Sequence, residues 1–261
     1  MSRRLETLVN SVVVEPEMLD VAAQILLFPV LVIQGAFVRR SALRLADPAG
    51  RRRGVSGRGP NMSLLIIGDS SAVGVGTSHQ EEALAGQMRK RLSQTNTVYW
   101  AVDAKTGATT ADTIARLRES PKQKFDIVSV PLGVNDITTR VPLAVWLQQF
   151  STLLELAESK FQAEVICVSG IPPIQYFPLL PQPLRWVLGA QARRFDCALR
   201  KLVADRTGCR FVEMDFEPDI AQMSPDGFHP GPKVYSEWGR KVYRAIRYDA
   251  KRLRCPHHRN M

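Results

Sequence analysis

The stretch that decides the fold is Leu64-Leu65-Ile66-Ile67-Gly68-Asp69-Ser70, with Ser71-Ala72-Val73-Gly74 following directly. Four consecutive aliphatic residues ended by a glycine are typical of a strand that is buried on both faces of a sheet. The polar residues after the glycine mark a turn in which the strand gives way to a helix. The sequence therefore predicts a central strand with a polar turn at its carboxyl end.

Further strands and helices alternate along the rest of the chain. We predict strands over 98–102, 125–131, 164–171 and 210–214, and helices over 78–92, 110–119, 142–160, about twenty residues from 184, and from 232 onward. The first helix is predicted from a capping box, Ser78 followed by Glu81. Such alternation is typical of an α/β protein with helices on both faces of a parallel sheet, here five-stranded, within a domain spanning 62–254.

The N-terminal part has a different composition. Residues 18–38 are the most apolar stretch of the chain and would span about 31 Å as a helix, and arginines follow at once. We expect residues 1–45 to be a membrane anchor or interfacial helix, with a docked soluble helix as the alternative. A spanning helix would place the C-terminal domain on the cytoplasmic side, with the periplasm as the other option. Residues 46–61 are predicted to be a linker, and 255–261 a basic tail.

The charge pattern argues against a nucleic-acid partner. The formal net charge is +10, but residues 1–60 contribute +4 and residues 239–261 contribute +7, which leaves −1 for residues 61–238. Because the excess lies at the two ends, the main domain has no basic face for a phosphate backbone, although basic ends suit an anionic membrane. The four cysteines are scattered without metal-ligand spacing, so no metal site is expected.

Polar residues follow several predicted strands at the edge where parallel sheets place ligands. They are Ser70 after the first strand, Gly107 after the second, Asn135 after the third, and Asp226 with His229 before the last helix. Each has a structural explanation as well: the serine and asparagine suit turns, and a loop histidine is usually only solvated. A dinucleotide-binding glycine motif is disfavoured, because His79 occupies the place of the third glycine. Together they offer a nucleophile, a base, an orienting acid and oxyanion donors.

The set of motifs resembles the SGNH (GDSL-type) hydrolases, a family of esterases and lipases with a flavodoxin-like three-layer α/β/α fold, and within it a bacterial lipase- or esterase-like subgroup. The matching blocks are Gly68-Asp69-Ser70, the glycine block with Gly107, Gly133 to Asp136, and Asp226 to His229. Ser71 stands where many members have leucine. The resemblance implies Ser70, His229 and Asp226 as catalytic residues, Ser70, Gly107 and Asn135 as the oxyanion hole, and no cofactor. Asp69, Gly68, Gly133 and Asp136 would support the site.

The expected function is a serine ester hydrolase acting on lipid-like or small acyl esters. An apolar proline-rich segment that contains Phe177, Leu180 and Trp186 is a candidate substrate loop. A carbohydrate O-acetyl esterase and a catalytically idle binding module at a membrane are the alternatives.

Overall fold

The computed structural model describes residues 18–216 and 219–253. The first seventeen residues and the predicted basic tail, 255–261, lie outside the described residues, so these parts of the predicted domain organisation stay predictions.

The centre of the molecule is one six-stranded sheet with the strand order β1-β3-β2-β4-β5-β6. Neighbouring strands from β3 to β6 run parallel, and β1 is antiparallel to β3 at the edge. The strands are β1 Arg53–Ser56, β2 Asn61–Gly68, β3 Thr97–Ala104, β4 Ile127–Val130, β5 Val165–Ser169 and β6 Cys209–Val212.

Helices cover both faces of this sheet, which confirms the three-layer α/β/α architecture. Helices α4, α6 and α7 pack on one face with α1 outside them, and α3 and α8 pack on the other. The helices are α1 Met18–Ser41, α2 Ser70–Val73, α3 Leu84–Leu92, α4 Thr110–Glu119, α5 Val134–Thr138, α6 Leu143–Ser159, α7 Leu184–Ala204 and α8 Pro232–Leu253; short 3₁₀ turns lie at Ile174–Tyr176 and Ile220–Gln222.

The central strand explains why the two helical layers form. In β2 the side chains alternate between faces, so Leu65 and Ile67 pack with the α4, α6 and α7 layer, while Leu64 and Ile66 pack with α3 and α8. All four are nearly or fully buried. Because both faces of this strand are buried, polar side chains are unfavourable along it, and they begin only in the turn at its carboxyl end.

Two local predictions were wrong. The predicted linker 46–61 contains β1, whose pairing with β3 adds a sixth strand to the predicted five. The predicted capping box at Ser78 opens no helix, and α3 begins only at Leu84. The backbone of Ser78 and Gln80 is instead hydrogen-bonded to the backbone of Ala49. Both differences come from pairing between distant segments, which a local pattern does not contain. A capping box is formed at a different helix, by Thr109 and Asp112 at the start of α4.

The apolar helix α1 packs against the domain along one side. Leu31 is buried in the core, and the Gln34 side chain donates to the Gln182 carbonyl and accepts from the Leu184 N–H, at 2.6 and 3.0 Å. Within the described residues, no helix has the length and apolarity needed to cross a bilayer. On the side that carries Leu31 and Gln34, α1 therefore docks on the domain, as the alternative prediction of a docked helix expects.

Candidate active site

The turn after β2 places the Ser70 hydroxyl at the carboxyl edge of the sheet. Asp69 precedes the short helix α2 and its Oδ1 accepts from the Ser71 N–H and hydroxyl, at 2.9 and 2.7 Å. Gly68 is required by close packing, because a Cβ there would lie 2.2 Å from the Pro131 carbonyl oxygen. Ser70 is buried except for its approach to the pocket described below.

The loop before α8 brings Asp226 and His229 to this serine. The Asp226 Oδ2 lies 2.5 Å from the His229 Nδ1, and the His229 Nε2 lies 2.9 Å from the Ser70 Oγ. A carboxylate, an imidazole and a hydroxyl thus form one continuous chain of hydrogen bonds. The carboxylate at Nδ1 fixes the proton on that nitrogen, so that Nε2 can accept the serine proton.

The surroundings of Asp226 favour its anionic form. Burial alone would raise its pKa, but the His229 ring, the Ser224 hydroxyl and the backbone N–H groups of Phe228 and His229 outweigh burial and hold the pKa well below its ordinary value. The last three donate to Oδ1 at 2.6, 2.9 and 3.0 Å. The negative charge therefore persists beside the imidazole at neutral pH and can stabilise an imidazolium.

Asn135 reaches the site from the first turn of α5, which follows β4. Gly133 has a φ of 129°, and a side chain there would collide with Ile171, so a glycine is needed where the chain enters α5. The Asn135 Nδ2 donates to the Ala108 carbonyl at 3.0 Å and to the Asp69 Oδ2 at 3.3 Å. Both amide hydrogens are thus engaged, and the longer contact, with Asp69, is the one that a competing acceptor displaces more easily.

Asp136, next to Asn135, ties two of the site loops together. Its carboxylate accepts from the Thr110 N–H and hydroxyl, and the Trp146 ring donates to the same hydroxyl at 3.1 Å. Burial raises the pKa of Asp136 to about 6, although the Thr110 hydrogen bonds oppose it and nearby Asp69 adds repulsion. Burial likewise raises the pKa of Asp69.

Gly107 lies in the exposed turn between β3 and α4, with a φ of 80°. Among the described residues it does not line the pocket beside Ser70. Its backbone N–H as an oxyanion donor stays a prediction.

A largely apolar pocket opens beside Ser70 and His229. Phe177 lines it, whereas Leu180 is buried in the core and Trp186 is partly exposed elsewhere, so the three residues of the candidate substrate loop do not act together. Sequence reasoning missed several other lining side chains: Tyr176, Met214, Phe216, Phe228 and Trp238. Met214 and Phe216 come shortly after the last strand, and this position at a strand end was the available signal; Trp238 lies on α8.

The fold and this site define the class of the protein as an ester hydrolase. The chain belongs to the GDSL-like Lipase/Acylhydrolase family, whose sequence model matches residues 66–236. A sequence search of curated proteins finds no match. The narrower bacterial subgroup stays a prediction.

Solved structures of similar fold include several esterases. TesA is 20% identical with a TM-score of 0.56, over 72% of this chain and 99% of that chain. The psychrotrophic esterase EstA from Pseudoalteromonas sp. is 18% identical with a TM-score of 0.54, over 72% and 98%. A family 3 carbohydrate esterase from Clostridium thermocellum is 15% identical with a TM-score of 0.59, over 74% and 98%. At these identities the similarity concerns the fold, not the substrate.

Proposed function

We propose that the enzyme hydrolyses acyl esters by two-step acyl transfer, with Ser70 as nucleophile, His229 as general base and Asp226 as the orienting acid. The observation that carries the proposal is the hydrogen-bonded chain from Asp226 through His229 to Ser70, at 2.5 and 2.9 Å. The apolar pocket beside the serine supports it by giving an ester a place to bind.

The protons follow this chain. As the Ser70 Oγ attacks the ester carbonyl, its proton passes to the His229 Nε2, and the Asp226 anion stabilises the imidazolium. His229 then returns the proton to the leaving alcohol, and an acyl-serine remains. Water attacks the acyl-serine with His229 again as base, which releases the acid and regenerates the hydroxyl.

The developing oxyanion would be bound by the Ser70 and Gly107 backbone N–H groups and the Asn135 side chain. For Asn135 this requires the hydrogen that contacts Asp69 at 3.3 Å to turn toward the substrate, while the 3.0 Å bond to Ala108 keeps the amide in place. Donors aimed in advance at a developing charge are usually the largest single contribution to such catalysis.

The pocket lining favours an acyl chain longer than acetyl as the substrate group. Tyr176, Phe177, Met214, Phe216 and Trp238 offer aromatic and thioether surface, which gains from contact with methylene groups. An O-acetyl sugar would need polar partners along the same wall. We retain carbohydrate deacetylation as the second candidate, because an acetyl group also reaches Ser70; an idle binding module is disfavoured by the intact hydrogen-bonded chain.

A series of nitrophenyl esters from acetyl to palmitoyl, with the full chain and its Ser70→Ala variant, tests the proposal. We expect turnover to peak at medium chain length and to fall on the order of 10⁵-fold in the variant. Ser71→Ala, which removes the adjacent hydroxyl, is the matched control. It should keep most of the turnover, and a serine-directed phosphonate should still label Ser70 in it. Turnover that persists without Ser70 would refute the mechanism, and a strict acetyl preference would select the deacetylase.

As for location, we propose association with a membrane on its cytoplasmic side, where the anionic lipid of that leaflet would attract the arginines at and after the end of the apolar helix. Accessibility of a cysteine introduced at the exposed Gln94 to an impermeant thiol reagent in intact cells tests the side, in a chain whose native cysteines are replaced by serine because Cys197 is itself exposed. Protection supports the cytoplasm, and labelling would place the domain outside.

A further inference from the structure

Helix α1 has two apolar sides, and the domain covers only one of them. Leu27, Leu31 and Val38 pack against the core. On the other side Leu26, Ile33 and Phe37 are 82%, 68% and 66% exposed, and Val30 is also exposed. We call Leu26, Val30, Ile33 and Phe37 the apolar stripe.

The members of the apolar stripe lie on one line of the helix. Their spacings of four, three and four residues place side chains on the same face, one turn above another. Scattered exposed aliphatic residues are ordinary on a protein surface, but a contiguous exposed stripe marks a contact site. The stripe therefore requires a partner that is apolar where it meets these side chains.

A dense positive charge begins where the apolar stripe ends. Residues 39–58 contain seven arginines against the single acid Asp47. We call the exposed residues Arg39, Arg40 and Arg44 the arginine collar. Arg40 follows Ile33 by seven residues and Phe37 by three, so it continues the face of the apolar stripe. The partner must be negatively charged next to its apolar part.

We propose that the apolar stripe and the arginine collar together dock onto the surface of an anionic lipid bilayer. A bilayer offers acyl chains directly beneath a layer of anionic head groups, which is the order that the stripe and the collar require. A second copy of this chain would offer the same positive charge and no matching anion at the collar.

The contacts of α1 connect this surface to the pocket. Gln34, on the flank of the stripe, holds α1 to Gln182 and Leu184, at the start of α7. The chain just before these residues lines the pocket through Tyr176 and Phe177. Trp186, two residues after Leu184, is 40% exposed, and tryptophan is a side chain that membrane interfaces favour. Docking through α1 would therefore keep the pocket segment near lipid.

Co-sedimentation of the full chain with lipid vesicles tests the proposal. One set of vesicles contains phosphatidylcholine alone, and the other also contains about 30 mol% phosphatidylglycerol, which gives the surface the negative charge of an anionic membrane. We expect binding to the anionic vesicles only. Ile33→Gln combined with Phe37→Gln should weaken it at least tenfold. Arg40→Gln combined with Arg44→Gln should weaken it about twentyfold, since each arginine near an anionic surface is worth about fivefold.

A matched control carries the same loss of two charges on the opposite layer. Lys90→Gln on α3 combined with Arg244→Gln on α8 removes two exposed cations and should bind as the unaltered chain does. Circular dichroism and thermal melting establish that all variants are folded, so the test does not depend on hydrolase activity.

Three outcomes overturn the proposal. They are the absence of binding to anionic vesicles by the full chain, equal loss in the control pair, and binding that the stripe substitutions leave unchanged. A dimer in solution that Ile33→Gln with Phe37→Gln dissociates, in a chain that does not bind vesicles, would assign the stripe to a second copy instead.

Discussion

Two of the buried carboxylates in and around the site, Asp226 and Asp136, have pKa values shifted in opposite directions. Asp226, in the loop before α8, is bound by four donors: the Ser224 hydroxyl, two backbone N–H groups and the His229 ring. Asp136, at the start of α5, is bound by two, both from Thr110. The pKa of Asp226 is held well below its ordinary value, whereas burial raises that of Asp136 to about 6.

The difference shows that burial alone does not decide the charge of a carboxylate. Desolvation disfavours both anions, and only Asp226 has enough donors to reverse it. We infer that the loop before α8 is built to keep a fixed negative charge beside an imidazole. Asp136, in α5, instead holds two loops together with a carboxyl group whose pKa is raised to about 6.

The largest expected effect comes from removing the fixed charge. Asp226→Asn keeps the shape of the side chain but stabilises the wrong tautomer of His229, so kcat should fall about 10⁴-fold with a smaller change in KM. Steady-state hydrolysis of the preferred nitrophenyl ester measures it.

Asp219→Asn is the matched control, because Asp219 is an exposed acid on the same pocket and does not contact His229. It should stay within a factor of about three of the unaltered enzyme, as surface substitutions usually do. Equal losses in the two variants would mean that Asp226 acts only as general negative charge.

The second-largest effect is expected from a substitution at Asn135, the neighbour of Asp136 in the chain. Asn135→Ala removes a proposed oxyanion donor and should lower kcat by about 10²–10³, with KM nearly unchanged, because the oxyanion exists only in the transition state. Steady-state kinetics with a soluble ester separates the two parameters. A rise in KM at constant kcat would assign Asn135 to substrate binding instead.

Asp136→Asn sharpens the comparison through pH. Because the folded-state pKa is raised, the proton is bound more tightly in the folded state; the resulting stability is complete below about pH 4 and is lost as pH rises through about 6. Relative to the variant, the unaltered protein should lose roughly 2 kcal/mol between pH 4 and pH 7. Urea unfolding at several pH values measures the change, and kcat should fall tenfold or less.

The control for this variant is Asp112→Asn, in the capping box of α4. The hydrogen bonds from Thr109 lower the pKa of Asp112, so its stability contribution has the opposite sign: it is present above pH 4 and is lost as pH falls. A stability difference that does not vary with pH for Asp136→Asn would show that this group is ionised in the fold as readily as in the unfolded chain.

The smallest effect should follow Ser224→Ala, which removes one of the donors to Asp226. The pKa of Asp226 should rise yet stay below neutrality, so turnover at pH 7 should fall only a few-fold, while unfolding should become easier by about 1–2 kcal/mol. Urea unfolding and kinetics at pH 7 measure both. A loss of turnover as large as that of Asp226→Asn would mean that one donor alone sets the charge.

Much of the sheet and part of the site followed from local patterns. The aliphatic run of β2 predicted a strand buried on both faces, and the prediction of α4 over 110–119 agrees with the structure residue for residue. Edge strand β1 was missed, because Arg53–Ser56 has no apolar period and becomes a strand only through β3. The capping-box prediction at Ser78 failed for the same reason, since the backbone of this segment is hydrogen-bonded to Ala49, a residue distant in the sequence.

The sequence by itself determined which chemical groups stand at the strand ends: a serine, an asparagine, and an aspartate three residues before a histidine. Those identities are local, and a motif records them. Only the tertiary structure decided their distances, the four donors that hold Asp226 charged, and the two that leave Asp136 with a raised pKa. It also decided that Phe177 and Met214 share a pocket wall, while Ile33 and Phe37 stay exposed. These properties depend on burial and on partners far away in the chain, and neither is written in any single stretch of residues.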